Sequence, residues 1–390
     1  MSKRILILSF YFPPDLCAGS FRTQALIESL ESLAQAENIT IDLVTTMPNR
    51  YANFSVTAKS YETRGCLTIY RIKIPEHRSG FVDQAKAFTH YFFKSLKLTR
   101  QKKYDVVYAT SSRLFTAFLG ARIATKKRVP LFLDMRDIFT DTMQSILKFP
   151  FTLCLSFFNL IERYTIKKAA FLNVVSEGFL PHFKPNKRCE ILTISHGIDK
   201  CFQHIQSTSK NNRLIKRVLY AGNIGQGQGI EKIIPGLAKA FLGRCEFYII
   251  GNGGQQTELE KVCFGLLNIK ILPPMDRQAL IQHYQKSDIL FLHLNDLSAF
   301  TKVLPSKIFE YVMTGKPILA GLTGYSADFI VKNASGCWLF PPCDTEKAIA
   351  QLNTILNSDI KHEDRKNFYE EFNREKMMEK LASKIISSVC

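Results

Sequence analysis

The segment Tyr220-Ala-Gly-Asn-Ile-Gly-Gln-Gly-Gln-Gly229 joins a short apolar run to a helical pattern, and it decides the architecture. The apolar run 218–221 predicts a strand that leads into the segment, and the pattern 230–241 predicts a helix after it. The run 246–251 predicts the next strand. A strand, a glycine-rich turn, a helix and a second strand make a parallel β-α-β unit. The small residues of the turn also let the backbone approach a phosphate or a sugar closely.

The same alternation extends along the chain. The apolar runs are continuous rather than alternating with polar residues, as expected for strands that are buried on both faces. Further strands are predicted at 4–10, 39–45, 67–74, 104–110, 131–135, 171–175, 269–272, 289–293 and 317–320. Further helices are predicted at 21–36, 82–100, 114–127, 255–264, 276–285 and 306–314. The sequence therefore predicts an α/β fold with two Rossmann-like, doubly wound domains that face a central cleft.

A polar, basic stretch at 184–216 interrupts the pattern. We therefore expect an N-terminal domain at 1–190 and a C-terminal domain at 191–360. The charged tail 361–390 predicts one long helix that packs back toward the first domain.

Composition excludes several classes of protein. The 390 residues are 46% hydrophobic and 22% charged, which excludes a disordered or fibrous chain. The ten cysteines form no C-x-x-C pair and no zinc-like cluster, so we expect no metal site and a reducing cytoplasm. Pro13, Pro14 and Asp15 break the first apolar run, which favours a buried strand over a signal peptide. No window is apolar enough for a transmembrane helix.

The net charge of +18 is concentrated in the first half, where residues 1–185 hold 26 basic and 14 acidic side chains. Such an excess indicates an anionic partner, either nucleic acid, an acidic membrane surface or a phosphorylated substrate. Solubility alone is the alternative.

The strongest local motif is Leu304-Pro-Ser-Lys-Ile-Phe-Glu-Tyr-Val-Met-Thr-Gly-Lys-Pro-Ile-Leu319. A helix is predicted to begin near Ser306, with Lys302 and Lys307 at its positive end, where a phosphate could bind. Glu310 lies one turn in and could accept hydrogen bonds from two ribose hydroxyls. Equally, it could be a first-turn acid that favours the helix dipole.

Two motifs of the first half are expected at strand ends. The loop from Pro13 to Ser20 follows the first strand, and Gly19 would allow its backbone to contact a ligand. Alternatively, the loop is an ordinary strand-to-helix turn in which Ser20 caps the helix. In Asp134-Met-Arg-Asp137, Arg136 could bind an anionic acceptor and Asp137 could orient it or act as a base. A structural ion pair of these two residues is the alternative. His196 is a weaker candidate, because a lone histidine is more often structural.

The apolar segment 146–161 has a basic flank and predicts either an interfacial membrane element or a helix packed on the sheet. The basic residues assigned to the membrane or acceptor are Lys126, Lys127, Arg128, Lys167 and Lys168.

Taken together, these motifs resemble the retaining glycosyltransferase family 4, which has the GT-B fold. The matching pieces are YFPPDLCAGSFR near the start, MRDIF at 135–139, NVVSEGF at 173–179, SHGID at 195–199, YAGNIG at 220–225, FYIIGNGG at 247–254 and LPSKIFEYVMTGKPILAG at 304–321. The motif sequences are most similar to those of the fucosamine, or amino-sugar, transferases of bacterial O-antigen and capsule synthesis. The resemblance covers nearly the whole chain.

The resemblance implies sugar transfer from a nucleotide-diphospho sugar, expected to be UDP-linked, to a lipid-linked or polysaccharide acceptor. It implies that 1–190 is the acceptor-side domain and that 191–360 is the nucleotide-sugar domain. It implies retention by front-face attack, no cofactor, and a cytoplasmic enzyme that is peripheral on the inner face of an anionic membrane. The implied catalytic residues are Asp137, Arg136 and Lys302. The implied donor-binding residues are Gly19, Asn223, Gly225, Gly251, Asn252, Gly253, Met275, Ser306, Lys307 and Glu310.

The sequence departs from the family pattern at three positions. The family carries two glutamates eight positions apart, and Lys302 stands where the first would fall. Asn223 and Gln228 stand near the positions of a phosphate-binding Arg and Lys. We expect Lys302, with Lys307, to contact the diphosphate instead. No D-x-D motif is present, so lysines and a helix terminus are expected to neutralise the leaving group without a metal.

Two other functions remain open at this stage. One is a UDP-sugar 2-epimerase or hydrolase of the same fold, which would need no acceptor. The other is a basic nucleic-acid-binding protein. No helix-turn-helix, zinc or RNP-like signature supports nucleic-acid binding, so we expect no nucleic-acid partner.

Overall fold

The structure is a computed structural model that describes residues 3–49, 57–75, 81–111, 114–146, 151–183, 189–203, 205, 213–358 and 365–389. It divides into two compact units. One contains the chain up to His196 together with the residues from Arg374 onward, and the other is Gly197–Asn373. Each unit has a largely parallel sheet with helices, so the prediction of two Rossmann-like α/β units is confirmed.

The first unit is built on an eight-stranded sheet in the order β3-β4-β2-β1-β5-β6-β7-β8. All neighbours are parallel except β3 and β4. The strands are β1 (Lys3–Leu8), β2 (Ile39–Thr46), β3 (Tyr61–Arg64), β4 (Leu67–Ile72), β5 (Val106–Thr110), β6 (Leu131–Met135), β7 (Phe171–Val174) and β8 (Glu190–Thr193). The continuous apolar strands β5 and β6 are fully buried, because helices cover both faces of the sheet.

The second unit has a six-stranded parallel sheet in the order β11-β10-β9-β12-β13-β14. Its strands are β9 (Lys216–Asn223), β10 (Cys245–Asn252), β11 (Ile269–Leu272), β12 (Ile289–His293), β13 (Ile318–Gly321) and β14 (Cys337–Phe340). Strand order reverses beside β9, and its carboxyl end is therefore where a ligand is expected in a doubly wound sheet.

Fourteen α-helices lie in the described ranges: α1 (Ala18–Ala36), α2 (Phe81–Thr99), α3 (Leu114–Lys127), α4 (Phe139–Ile146), α5 (Leu155–Lys168), α6 (Leu180–Phe183), α7 (Ile234–Ala240), α8 (Gln256–Val262), α9 (Arg277–Lys286), α10 (Lys307–Met313), α11 (Tyr325–Asn333), α12 (Thr345–Asn357), α13 (Lys366–Phe372) and α14 (Arg374–Ser387). Short 3₁₀ segments occur at Phe151–Cys154, Glu177–Phe179, Lys200–Phe202, Ile230–Lys232 and Ser298–Lys302. None of the helices in these ranges combines the length and the apolar character needed to cross a membrane.

The C-terminal tail is two helices rather than the one that we predicted. α13 belongs to the second unit, where the Phe372 ring contacts those of Phe309 and Phe329. α14 belongs to the first unit, where its Leu381 and Ile385 join the core formed with α1. The chain passes between the units after His196 and again after Asn373, rather than at 190 and 360. Residues 184–188, 204 and 206–212 of the predicted linker, and residues 361–364 and 390 of the tail, lie outside the described residues.

Candidate functional site

Glu310 lies on the buried side of α10, beside the carboxyl end of β9. The residue is 8% exposed, and its Oε2 accepts hydrogen bonds from the Tyr284 hydroxyl at 2.9 Å and from the Lys307 ammonium at 3.0 Å. Burial alone would raise the pKa of Glu310. The positive charges of Lys307 and Arg277 and these two hydrogen bonds outweigh burial, so the pKa lies below its ordinary value. Glu310 is therefore an ionised buried carboxylate.

The second oxygen of this carboxylate has a different environment. Both hydrogen bonds to Glu310 end on Oε2, and no described residue donates to Oε1. A carboxylate oxygen can accept two hydrogen bonds. The residue can therefore receive hydroxyl donors from a ligand while Tyr284 and Lys307 hold its orientation.

The glycine-rich loop after β9 lies next to this carboxylate. A Cβ on Gly222 would lie 3.6 Å from Cε of Lys307, so the start of α10 touches the end of β9. Within the loop, Asn223 Nδ2 donates to Gln228 Oε1 at 2.8 Å. A Cβ on Gly225 would stand 2.3 Å from Asn223 Nδ2, so a side chain there would displace the Asn223 amide from Gln228. The two neutral residues at the family's basic positions therefore bind each other.

The predicted glycines of the next strand end have a packing role. A Cβ on Gly251 would lie 1.8 Å from the Gly222 carbonyl oxygen, and one on Gly253 would lie 2.3 Å from that of Ile224. Gly251 also has a φ of 153°, which side chains rarely adopt. These glycines let β9 and β10 end in close contact. Asn252, between them, ends β10 half-buried.

The other predicted donor residues of the second unit lie around α10. Ser306 directly precedes the helix, without a capping hydrogen bond from its side chain, and Met275 lies in the loop between β11 and α9. Lys302 ends the 3₁₀ segment Ser298–Lys302 and is half-buried. Lys307 differs from our expectation, because its charge is paired with Glu310 and not left entirely for a diphosphate.

At the carboxyl edge of the first sheet, Asp134 is the centre of a buried charge network. Its oxygens accept hydrogen bonds from Arg22 Nε at 2.9 Å, Arg22 Nη2 at 3.0 Å, Arg136 Nε at 3.2 Å and Asn173 Nδ2 at 2.7 Å. Burial alone would raise the pKa of Asp134, but Arg22 and Arg136 hold it well below its usual range. Arg22 also donates to the carbonyl oxygens of residues 194 and 195, so the network fixes the end of this unit.

The two predicted catalytic residues that follow Asp134 have separate partners. Arg136 pairs with Asp134 rather than with Asp137, so the structural ion pair that we considered between these neighbours is not formed. Asp137 Oδ1 faces the Ser111 hydroxyl at 3.4 Å. Both residues stand at the carboxyl end of β6, where a doubly wound sheet presents side chains to ligands.

His196 is neutral at this edge. Burial, followed by the charges of Arg22, Arg136 and Arg374, keeps the pKa of His196 well below its ordinary value. Its carbonyl oxygen accepts a hydrogen bond from Arg374 Nε at 2.9 Å.

The five basic residues assigned to the membrane or acceptor lie at the opposite, amino edge of the same sheet. Lys126 and Lys127 end α3, Arg128 follows, and Lys167 and Lys168 end α5. The helices run antiparallel to the strands, so these ends lie far from Arg136 and Asp137 in their own unit. Lys127 is partly structural, because its ammonium donates to the carbonyl oxygens of residues 100 and 102.

The predicted interfacial segment forms a 3₁₀ turn and part of α5, and residues 147–150 lie outside the described ranges. Its two faces differ. Phe158 and Ile161 are buried in a core cluster, whereas Phe157 is 57% and Leu160 67% exposed. The segment therefore packs on the unit and also presents apolar side chains.

Comparison with known protein families gives a match that falls almost wholly in the second unit. Residues 204–374 match the family described as glycosyl transferases group 1. Over 157 residues the chain is 30% identical to the "Putative colanic acid biosynthesis glycosyl transferase WcaI" of Escherichia coli (strain K12). That match covers 40% of this chain and 38% of the relative, so it spans well under half of either protein.

Solved structures resemble the chain over nearly its full length. Anabaena Alr3699/HepE in complex with UDP-glucose has a TM-score of 0.68 at 15% identity, with 99% of each chain covered. WaaG, a glycosyltransferase involved in lipopolysaccharide biosynthesis, has a TM-score of 0.64 at 14% identity, covering 98% of this chain and 99% of that one. The chain has the GT-B fold.

Three residues of this GT-B chain that interact with Asp134 or with Glu310 were not among our predicted site residues. They are Arg22, Tyr284 and Arg277, the last of which also pairs with Asp199. Arg22 carried a signal, because it lies on the apolar face of α1 with Leu26 and Ile27. A charged residue on such a face requires a buried counter-charge.

Proposed function

We propose that the chain is a retaining glycosyltransferase of cell-surface glycan synthesis. It moves a sugar from a nucleotide-diphospho sugar, which we take to be UDP-linked, to a lipid-linked or polysaccharide acceptor. The observation that carries the proposal is Glu310: an ionised, buried carboxylate with one oxygen held and the other open. It lies within the segment that matches the group 1 glycosyl transferases, which supports the same function.

In the proposed donor site, Glu310 Oε1 accepts hydrogen bonds from the ribose. Tyr284 and Lys307 keep the carboxylate oriented through Oε2. An ammonium has three N–H groups, and Lys307 donates two of them to Tyr284 and Glu310, so the third is proposed to donate to a phosphate oxygen. Lys302 is the second candidate for the leaving diphosphate.

The amino-sugar branch and the retaining outcome form the finer part of the proposal. Attack on the front face lets a donor phosphate oxygen take the acceptor proton, so no protein nucleophile is needed. Asp137 is proposed to orient the acceptor hydroxyl. We propose that no metal takes part, since lysines can neutralise the diphosphate. Among the described residues, no three His, Cys, Asp or Glu side chains group as a metal site.

Replacing Glu310 with Gln should weaken UDP binding by about 10- to 100-fold, because a charge-assisted hydrogen bond contributes about 1.5–3 kcal/mol. Calorimetry of the full chain with UDP in the presence of EDTA measures the change in affinity, and it also tests whether UDP binding needs a metal ion. Glu258→Gln is the control, since Glu258 is a solvent-exposed acid of the same unit on α8. Equal affinities of wild type and Glu310→Gln would contradict the ribose role. Binding that needs added Mn²⁺ or Mg²⁺ would contradict metal independence.

We also propose that the first unit binds the inner face of an anionic membrane. Exposed Phe157 and Leu160 would insert, while Lys126, Lys167 and Lys168 would attract anionic lipid. Each lysine contributes about 1 kcal/mol near such a surface, screened by salt. Inserted apolar area contributes about 25 cal/mol per Å², independent of salt.

On vesicles containing anionic lipid, wild-type chain should therefore sediment strongly at low salt and partly at high salt. Changing Lys126, Lys167 and Lys168 to Glu should remove the salt-sensitive part, and Phe157→Ser with Leu160→Ser should remove the salt-resistant part. Lys127 is left unchanged because of its backbone contacts. Wild-type chain that stays in the supernatant at low salt would rule out this surface.

A further inference from the structure

The glycine-rich loop after β9 is held by residues at the end of β12 and just after it. The Asn295 N–H donates to the Gly227 carbonyl oxygen at 2.9 Å, and Asn295 Nδ2 donates to the Gln226 carbonyl oxygen at 2.8 Å. His293 Nδ1 lies 2.5 Å from the carbonyl oxygen of Gln228. Three successive carbonyl groups of the loop are therefore directed toward β12.

The Asn295 side chain is itself fixed by its surroundings. The residue is 4% exposed, and its Oδ1 accepts hydrogen bonds from Lys232 Nζ at 2.8 Å and from the Asp296 N–H at 2.9 Å. The Cys343 thiol donates to the same oxygen at 3.2 Å. Three donors on Oδ1 determine which end of the amide is the oxygen, so the Nδ2 group must face the loop.

A fixed carbonyl group also fixes the N–H of the next residue. In a planar trans peptide unit, the C=O and N–H bonds point in opposite directions. The hydrogen bond from Asn295 to the Gln226 carbonyl oxygen therefore directs the Gly227 N–H away from Asn295. Within the described ranges, the N–H groups of Gly225, Gln226 and Gly227 meet no acceptor. Successive N–H groups in a turn can form a concave site for an anion.

The side chains of the loop add no positive charge to these N–H groups. Residues 223–229 include no Lys and no Arg. The neutral side chains of Asn223 and Gln228 bind each other at 2.8 Å. The loop therefore attracts an anion through its backbone, and the directions of its N–H groups depend on how its carbonyl groups are held.

We propose that Asn295 is a positioning residue for the donor diphosphate. It holds the glycine-rich loop so that the loop N–H groups donate to phosphate oxygens, and it acts through the Gln226 peptide unit without touching the ligand. The inference rests on the proposed function, because it takes the diphosphate of the nucleotide sugar to lie at this loop. It adds a residue from a different strand to those that the resemblance assigned to the donor.

The test compares UDP with uridine, which has no phosphate, as ligands of the full chain. Calorimetry measures UDP directly and uridine by competition. Asn295→Ala removes the side-chain hydrogen bonds, and Asn295→Asp keeps the acceptor oxygen but replaces Nδ2 with a second oxygen. Each should weaken UDP binding by about tenfold or more while uridine affinity stays within about twofold. The alanine variant adds no charge, so a loss in both variants excludes simple repulsion by the new carboxylate.

Asn268→Ala is the matched control. Asn268 is another buried asparagine of the second unit, 7% exposed, and its Nδ2 donates to the carbonyl oxygens of Ala238 at 2.9 Å and Cys245 at 3.0 Å. It precedes β11 at the amino edge of the sheet, away from the glycine-rich loop. Its replacement should lower stability and leave the ratio of UDP to uridine affinity unchanged. A merely structural role of Asn295 would give that same result.

Hydrogen exchange gives a second readout on the loop itself. At saturating UDP, the amides of residues 225–227 should be protected in wild type and less protected in Asn295→Asp. If Asn295→Ala does not fold, this comparison decides the question. Equal protection in the two proteins would contradict the positioning role.

The inference and the proposed function fail separately. Asn295 variants that keep the wild-type ratio of UDP to uridine affinity would overturn the inference alone, as would a loss confined to Asn295→Asp. Wild-type chain that binds UDP no more tightly than uridine would show that the loop does not contact the diphosphate. Glu310→Gln should weaken UDP and uridine alike, because the ribose is common to both. Wild-type chain that binds no UDP would overturn the proposed donor and this inference together.

Discussion

Asp134→Asn is expected to lower the free energy of unfolding of the first unit by about 3–5 kcal/mol, the usual cost of leaving buried charges without their counter-ion. Asparagine keeps the shape of the side chain but loses the charge, and its amide nitrogen replaces one of the two oxygens that accept hydrogen bonds from Arg22, Arg136 and Asn173. Arg22 and Arg136 are both almost fully buried, and within the part of the chain that the structure describes Asp134 is the one carboxylate in hydrogen-bond contact with them. The loss should be large because two cations, rather than one, depend on this residue.

Urea unfolding followed by far-UV circular dichroism, with hydrogen exchange in β6, measures the effect. Glu31→Gln is the matched control: its partner Arg64 is 55% exposed, so the loss should stay below about 1 kcal/mol. The double variant Arg22→Met with Asp134→Leu should lose less than Asp134→Asn, since it leaves one fewer unpaired cation. A loss below about 1 kcal/mol in Asp134→Asn would contradict the charge argument.

The sequence predicted the central strands well, because a strand buried on both faces must be a continuous apolar run. β5, β6 and β12 are fully buried and were found within two residues of their ends. The strands that we missed are β3, β8 and β14, at or near sheet edges. β3 reads YETR and is mostly exposed, so no apolar pattern marks it.

The sequence predicted that the site residues lie at strand ends and at a helix start, but it did not predict which side chains pair with them. Glu310 and Arg136 stand out in the sequence, since each is a charged residue at the edge of a predicted apolar element. Their partners come from positions distant in sequence: Asp134 meets Arg22, 112 residues away, and Glu310 meets Tyr284 from another helix. Such contacts depend on how elements pack, which local periodicity does not encode.

The buried position of His293 was also not predictable from the local sequence pattern, because the residue ends an apolar strand and gives no separate signal. In the structure it is fully buried, and its ring stacks near those of Phe291 and Phe340. Nδ1 faces the Gln228 carbonyl oxygen at 2.5 Å, whereas Nε2 accepts the Cys343 N–H at 3.0 Å. These backbone partners require a proton on Nδ1 and none on Nε2. Protonating Nε2 would set two N–H groups against each other.

Acid should therefore destabilise the second unit through His293. Burial lowers the pKa of His293 to about 4, against about 6.5 in the unfolded chain. Between these values the unfolded chain binds a proton that the folded chain refuses, so stability falls as pH drops below 6.5 and levels off near 4. The expected loss from this residue is about 2 kcal/mol between pH 7 and pH 5.

Urea titrations at pH 7 and pH 5, followed by the fluorescence of Trp338, measure this loss. Trp338 is the only tryptophan of the chain and lies on β14 against the core of the second unit. His293→Gln removes the titrating ring, so its stability should depend on pH less than that of wild type by about 2 kcal/mol, whatever its absolute stability. His283→Gln is the control, because that ring lies on α9 of the same unit and is only partly buried. Equal pH dependence in wild type and His293→Gln would show that the ring takes up its proton in the folded state, and that the Cys343 N–H does not hold Nε2 as an acceptor.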